Sequence, residues 1–223
     1  MKIIEGLLLS YFYIIFVLFF SQYITKSQEV RRKVSHILLG FWWIIVIYFF
    51  GDSFLAIIPP LSFAIINYIF LTGKRKNHLL RCLLREEKGD VGIILYPVSL
   101  IIMLLISFVV TNDVFLGGIG VMTLAFGDGF ASLIGRKYPL IEFKVGKNTK
   151  SVIGCLSMFT ASLISLIFYI SITKMMEINI KLFLLCIFIS FIETIVEMVT
   201  PSIIDNITVP ITTILCYLVL VIY

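Results

Sequence analysis

Asp128 lies within the apolar stretch Ala125-Phe126-Gly127-Asp128-Gly129-Phe130-Ala131-Ser132, and Glu193 and Glu197 stand four residues apart in another such stretch. An ionised side chain at the centre of a membrane helix costs at least about 2.5–3.5 kcal/mol, so each of these acids calls for a partner or a role. Two glutamates one helical turn apart share a face and repel unless a cation or a proton lies between them. Asp205 and Asn206 come later in the chain, with Pro201 before them and Pro210 after. Carboxylates gathered opposite lysine- and arginine-rich segments suit a hard divalent cation and a polyphosphate, because magnesium is usually held by a few oxygen ligands together with substrate phosphates. Asp128, Glu193, Glu197 and Asp205 are the candidate metal ligands on this reading. Gly127 and Gly129 leave backbone uncovered beside Asp128, for close approach of a ligand or of a neighbouring helix.

Phosphate-binding groups come from two further segments. Gly135-Arg136-Lys137 closes one apolar run, and Lys147-Asn148-Thr149-Lys150-Ser151 opens the next. A helix N-terminus with free N–H groups, a hydroxyl and adjacent lysines is a natural anion seat; the plainer reading makes Thr149 or Ser151 a helix cap. Arg31-Arg32-Lys33 precedes His36 at the start of another apolar run, where His36 is either a phosphate contact, an acid–base group or a structural histidine. His78 sits in a basic loop and reads as solvated.

The elements that position these groups must be membrane helices. Of the 223 residues, 60% are hydrophobic and 14% charged, with a mean hydropathy of +1.10. Lipid is the main solvent for such a chain, and about 20 residues of helix cross it once. Apolar runs predict helices over 3–24, 34–50, 53–72, 91–111, 113–134, 151–173, 179–199 and 206–223, which is an all-α polytopic bundle of about eight spans in one transmembrane domain covering 1–223, with no strands needed. Only Gly51 and Asp52 join the second and third runs, so a hairpin that dips without crossing competes there with two full spans. The first run, Ile3 to Ile24, has no small-residue cleavage site after it and reads as a retained span. Cys82, Cys155, Cys186 and Cys216 are far apart and read as packing residues.

All but three of the 18 basic residues fall in loops 25–33, 73–90 and 135–150. These are alternate loops, so the excess of Lys and Arg on the cytoplasmic side places both termini outside and the polar face inside. The segment 200–210 carries no basic residue but holds two prolines. A helix broken at membrane depth is tolerated where protein or a water-filled cavity satisfies the backbone, so this segment is a candidate cavity wall, with a capping turn at Asp205 or Asn206 as the alternative.

Four motifs then stand in order over roughly residues 30–215: Arg32-Lys33-Val34-Ser35-His36, Gly127-Asp128-Gly129-Phe130-Ala131-Ser132-Leu133-Ile134-Gly135-Arg136-Lys137, Lys150-Ser151-Val152-Ile153-Gly154 and Asp205-Asn206-Ile207-Thr208-Val209-Pro210. Together they resemble the polyprenol kinase family, which includes dolichol kinase, phytol kinase and the CTP-dependent diacylglycerol kinase of yeast and is related to phosphatidate cytidylyltransferase. The resemblance implies an enzyme, a phosphotransferase moving a phosphoryl group from CTP, with Mg2+, to an isoprenoid alcohol or diacylglycerol at the cytoplasmic membrane face, with no nucleic-acid partner. It implies catalytic roles for Asp128, Lys150 and Asp205, and nucleotide or phosphate contacts from Arg32, Lys33, His36, Gly127, Gly129, Arg136, Lys137, Ser151 and Asn206. Relatives often carry Glu before the glycine of the Lys-Ser-x-x-Gly element, where this chain has Ile153, so one acidic contribution is either missing or supplied from Glu193 or Glu197. The His-Gly-Gly and Asp-Arg-x-Asp ending of the cytidylyltransferases is absent, which favours a kinase over cytidylyl transfer to an anionic lipid. No Walker motif is present, and the nucleotide site must be assembled from helix ends and loops. An ion-coupled transporter is the alternative of another class; it predicts inverted repeats and midplane polar residues, whereas no duplication is visible.

Overall fold

A computed structural model describes residues 1–72, 92–145, 148–173, 177, 179–201 and 204–222. The basic loop 73–90, with His78 and Cys82, lies outside the described residues. Eight helices form the described bundle: α1 (Lys2–Ile24); α2 (Gln28–Gly40), carried on through Trp42–Ile45 and a π-helical turn at Val46–Phe50; α3 (Ile58–Thr72); α4 (Gly92–Leu105), ending in a π-helical turn at Ile106–Thr111; α5 (Val114–Thr123), which runs through a π-helical turn at Leu124–Asp128 into Gly129–Lys137; α6 (Val152–Thr173); α7 (Ile180–Val199); and α8 (Asp205–Ile222). Six of these are long and apolar enough to cross a membrane, Glu29–Phe50 among them, and Phe54–Ile69 and Asp205–Leu220 are shorter apolar helices. By length and composition the second run can cross a membrane, and the third is shorter.

Three expectations change. First, α2 begins at Gln28, so Arg31, Arg32 and Lys33 belong to a helix and not to a loop. Their side chains are thereby fixed on one helix's faces. Second, α5 continues to Lys137, placing Arg136 and Lys137 in its last turn, where cations complement the exposed carbonyls. Third, there are strands. Glu142–Val145 (β1) pairs antiparallel with Asn148–Ser151 (β2), in the register Glu142 to Ser151 and Phe143 to Lys150. Hydrophobicity alternates along Glu142-Phe143-Lys144-Val145, a period-two signal too short to stand out beside 20-residue apolar runs.

The axis of the bundle is α5, which is buried along most of its length and packs on α2, α4, α6 and α8. Close approach is what its glycines supply: a Cβ at Gly120 would stand 2.8 Å from the Pro210 carbonyl oxygen on α8. Around it, aromatic side chains place hydrogen bonds where lipid offers none. Trp43 Nε1 donates to the Val114 carbonyl at 2.9 Å, Trp42 Nε1 to Ser10 Oγ at 2.9 Å, and the Tyr169 hydroxyl to the Phe115 carbonyl at 2.9 Å. Each one ties the apolar body of a ring into the core while satisfying its polar end.

Between α2 and α3 the chain reverses at Gly51, with φ 56° and ψ −122°, a region that a Cβ makes strained. Gly51→Ala should lower stability by about 1–3 kcal/mol, the usual cost of such backbone strain, although a Cβ there meets nothing within 4 Å. Thermal unfolding of detergent-solubilised protein checks this, and an unchanged Tm would contradict it.

Candidate active site

One end of the bundle holds a polar cavity of about 250 Å³. Its walls come from α2 (Arg32, Lys33), α5 (Asp128, Ala131, Ser132, Gly135, Arg136), the β ribbon with its flanks (Pro139, Glu142, Thr149, Lys150, Ser151), α6 (Gly154, Cys155), α7 (Glu197) and the first residue of α8 (Asp205). All four motifs found in the sequence therefore meet at one place.

The turn that carries Asp128 is the π-helical one at Leu124–Asp128. Such a turn inserts one extra residue into a helix and re-aims the side chains beyond it, and π turns recur at functional sites for this reason. Asp128 is 5% exposed, and its Oδ2 accepts from Lys33 Nζ at 2.8 Å. His36 Nε2 is 3.8 Å from the same oxygen. Across the cavity, Lys150 Nζ is 2.8 Å from Glu197 Oε1 and also donates to the Glu197 backbone carbonyl. Arg136 pairs with Glu29, and Asp205 Oδ1 accepts from the Asn206 N–H at 2.8 Å. The lining thus alternates Arg32, Lys33, Arg136 and Lys150 with Asp128, Glu142, Glu197 and Asp205.

Ser151 braces this arrangement. Its Oγ donates to the Gly135 carbonyl at 3.2 Å and accepts from the Gly154 N–H at 3.1 Å, three residues on, as a helix cap does. Gly135 and Gly154 meet face to face, and a Cβ at Gly135 would lie 2.9 Å from Gly154 Cα. The C-terminal end of α5 is held against the N-terminal end of α6 by this contact, which brings Arg136 and Lys150 to one rim.

The remaining candidates lie elsewhere. Gly127 faces Ser162 and Met158 of α6, and Gly129 faces Ile37 of α2, so the bare backbone beside Asp128 admits neighbouring helices. Lys137 is exposed beside the Tyr138 ring, 5.3 Å from its centroid. Asn206 is buried behind Asp205, outside the cavity lining. Glu193 is completely buried and bonded to the Thr213 hydroxyl, away from the lining to which Glu197 belongs. Their four-residue spacing shares a helix face, but a turn of helix is enough to leave one acid in the cavity and the other in the core. Glu142 and Thr149 line the cavity and were not expected from the motifs. Only the ribbon pairing brings them in.

The donor set suits magnesium held partly by a substrate and not by a protein cage alone. Among the described residues no three His, Cys, Asp or Glu side chains converge as a ready cage. Asp128, Glu197 and Asp205 nevertheless offer hard oxygens to one cavity, which suits an ion held by one or two carboxylates and by substrate phosphates.

Comparison with known proteins bears on this geometry. The chain is 28% identical over 200 residues to a probable chloroplastic phytol kinase 1 of Glycine max, covering 84% of this chain and 65% of that one. It is 28% identical over 201 residues to phytol kinase 1 of Arabidopsis thaliana, covering 85% and 66%, and 32% identical over 160 residues to the CTP-dependent diacylglycerol kinase 1 of Saccharomyces cerevisiae, covering 66% and 51%. The chain is related in sequence to these lipid kinases. It spans from about half to about two thirds of the length of such relatives. No family model matches the chain, and no solved structure does.

The buried Lys33–Asp128 pair makes a direct prediction. Lys33→Met leaves Asp128 without its counter-charge and should destabilise the protein by about 3–5 kcal/mol, whereas Lys33→Met with Asp128→Asn should recover much of the loss. A thermal-unfolding cycle of the two single variants and the double variant measures the coupling. Additive losses would show that the two side chains do not depend on each other.

Proposed function

We propose that this protein is a CTP-dependent lipid-alcohol kinase. The observation that carries the reading is the convergence of four ordered motifs on one cavity in which lysines and arginines alternate with carboxylates. The relatives' names supply the donor and the acceptor class: one is called CTP-dependent, and all act on an alcohol, phytol or diacylglycerol.

In this reading Arg32, Lys33, Arg136 and Lys150 receive the polyphosphate, with Ser151 holding the rim. Asp128, with Asp205 and Glu197, would hold a magnesium ion, which would supply charge neutralisation on the phosphates. Two of the three acids that would take the metal are paired with lysines that would take a phosphate: Lys33 on Asp128, Lys150 on Glu197. On nucleotide binding Lys33 and Lys150 would pass from these two carboxylates to the phosphates, so that neither lysine is left bare in an apolar surrounding.

The hydroxyl oxygen of the alcohol forms a bond to the γ-phosphorus as the bond from that phosphorus to its bridging oxygen breaks. CDP leaves with the electron pair, and the hydroxyl proton is lost to water in the cavity. The protein's contribution is positioning and neutralisation of the transferring group by its cations. By the distribution of Lys and Arg, the cavity opens to the cytoplasm.

Asp128→Asn should lower transfer by at least about a hundredfold while the protein still inserts in the membrane. A purified variant that phosphorylates lipid at the normal rate would remove Asp128 from the mechanism. CTP labelled on the γ-phosphorus decides the reaction: label in the lipid means kinase, while a retained cytidine label in the lipid means cytidylyl transfer. Cysteines introduced at Lys26 and Lys144 should react with an impermeant thiol reagent only from the cytoplasmic side, and labelling from outside would invert the topology.

A further inference from the structure

Glu193 is the acid that the cavity does not use. It is completely buried in α7, and among the described residues it forms no ion pair. An ionised carboxylate left so inside an apolar bundle is costly, and holding a proton is the ordinary way out. The neighbouring hydroxyls support that state independently. Glu193 Oε1 is bonded to the Thr213 hydroxyl of α8, which also stands 2.9 Å from the Val209 carbonyl and 3.1 Å from the Thr123 hydroxyl of α5. The Thr123 hydroxyl is in turn 3.1 Å from the Gly120 carbonyl. Each threonine has one proton to donate, so the two hydroxyls alone cannot fill these contacts. With Glu193 ionised, the carboxylate and the Val209 carbonyl compete for the single proton of Thr213. With a proton on Oε1, Glu193 donates to Thr213, Thr213 donates to Val209, and Thr123 donates to Thr213. The contact left over is the one to Gly120, whose carbonyl already accepts the Leu124 N–H.

The second carboxyl oxygen agrees. Glu193 Oε2 is buried and, among the described residues, without a hydrogen-bond partner. In a carboxylate that oxygen would carry its share of the negative charge unsolvated, whereas in a neutral acid it is a carbonyl lacking a donor, which costs less. The place of this cluster matters for the site. Its hydrogen bonds join α7, α8 and α5, the three helices that bring Glu197, Asp205 and Asp128 to the cavity. Glu193 is one helical turn from Glu197. Thr123 is the last residue before the π-helical turn that ends at Asp128.

We propose that Glu193 is a positioning residue held as a neutral acid: it donates to Thr213 and so ties together the three helices whose acids face one another in the cavity. The positioning role rests on the lipid-kinase reading above; the proton on Glu193 does not. Glu193 and Glu197 thereby divide the work of their helix. One is a hydrogen-bond donor in the core, and the other is an ionised oxygen donor in the cavity.

The experiment uses the full chain in lipid nanodiscs, with magnesium CTP and either phytol or dioleoylglycerol as acceptor. Glu193→Gln has the shape of the neutral acid and an N–H to give Thr213, so kcat and the magnesium concentration for half-maximal rate should stay within about threefold of wild type. Glu193→Leu fills the space and ties nothing. It should lower kcat or raise the magnesium requirement by about tenfold, with the KM for the alcohol within about twofold. Thr213→Val removes the acceptor hydroxyl at nearly constant volume and should act in the same direction, which keeps the test open if Glu193→Leu does not fold. Infrared difference spectra of wild type against Glu193→Gln read the proton directly: the C=O stretch of a protonated carboxyl should be present in the first and missing in the second. A loss of activity in Glu193→Gln as deep as in Asp128→Asn would make Glu193 an ionised participant and overturn the proposal. So would identical carboxyl bands in the two proteins, or wild-type rate and magnesium requirement in both Glu193→Leu and Thr213→Val. Wild-type protein that shows the band yet phosphorylates neither alcohol would overturn the kinase reading and the positioning role with it, while the proton on Glu193 would stand.

Discussion

A carboxylate that stays ionised inside an apolar bundle needs a counter-charge, and the geometry around Asp128 is set by that constraint. Lys33 reaches it from α2, a neighbouring helix 95 residues away in sequence, across a gap of 2.8 Å. For the lysine to arrive there, α2 must begin well before the apolar run and lie close along α5. The same logic repeats across the cavity, where Lys150 at the end of a strand reaches Glu197 at the end of α7. The polar site is held together by side chains that each neutralise a group from a distant element, so the bundle and the site are stabilised by the same contacts.

Close helix approach is the second requirement, and it is met by small residues along α5 and at the start of α6. The contact between Gly135 and Gly154 brings two helix ends together at the rim, and Ser151 bonds to both. A larger residue at either glycine would move Arg136 away from Lys150. These glycines act on the site through distance, while Gly127 and Gly129, adjacent to the acid itself, serve contacts with α6 and α2. Nearness in sequence to a functional residue is thus a poor guide to which glycine shapes the cavity.

The helical bundle was legible in the sequence because 20-residue apolar runs are long, strong signals and hydrocarbon leaves the backbone few alternatives. The meeting of Asp128, Lys150, Glu197 and Asp205 at one face came from counting the spans. Three things were not legible. The ribbon at 142–151 is four residues a strand, too short to be seen beside its neighbours, yet it brings Glu142 and Thr149 into the wall. Glu193 and Glu197 have the same spacing whichever of them reaches the cavity, and only the position of α8, with Thr213 against Glu193, separates them. Tyr96 has no distinguishing mark in an apolar run, and its contact with His36 emerges only when α4 is packed on α2.

The π-helical turn at Leu124–Asp128 has a consequence for how this helix can vary. One inserted residue shifts everything beyond it by about 100° around the axis, so the two halves of α5 are out of phase. The upstream half presents its small residues to the core in its own register, and the downstream half presents Asp128, Ala131, Ser132 and Gly135 to the cavity in another. The downstream half also packs on α2 and α6 through Gly129 and Gly135, so the offset sets helix contacts and cavity together. One residue more or fewer between Thr123 and Gly129 would turn the cavity-lining side chains about 100° away from the cavity.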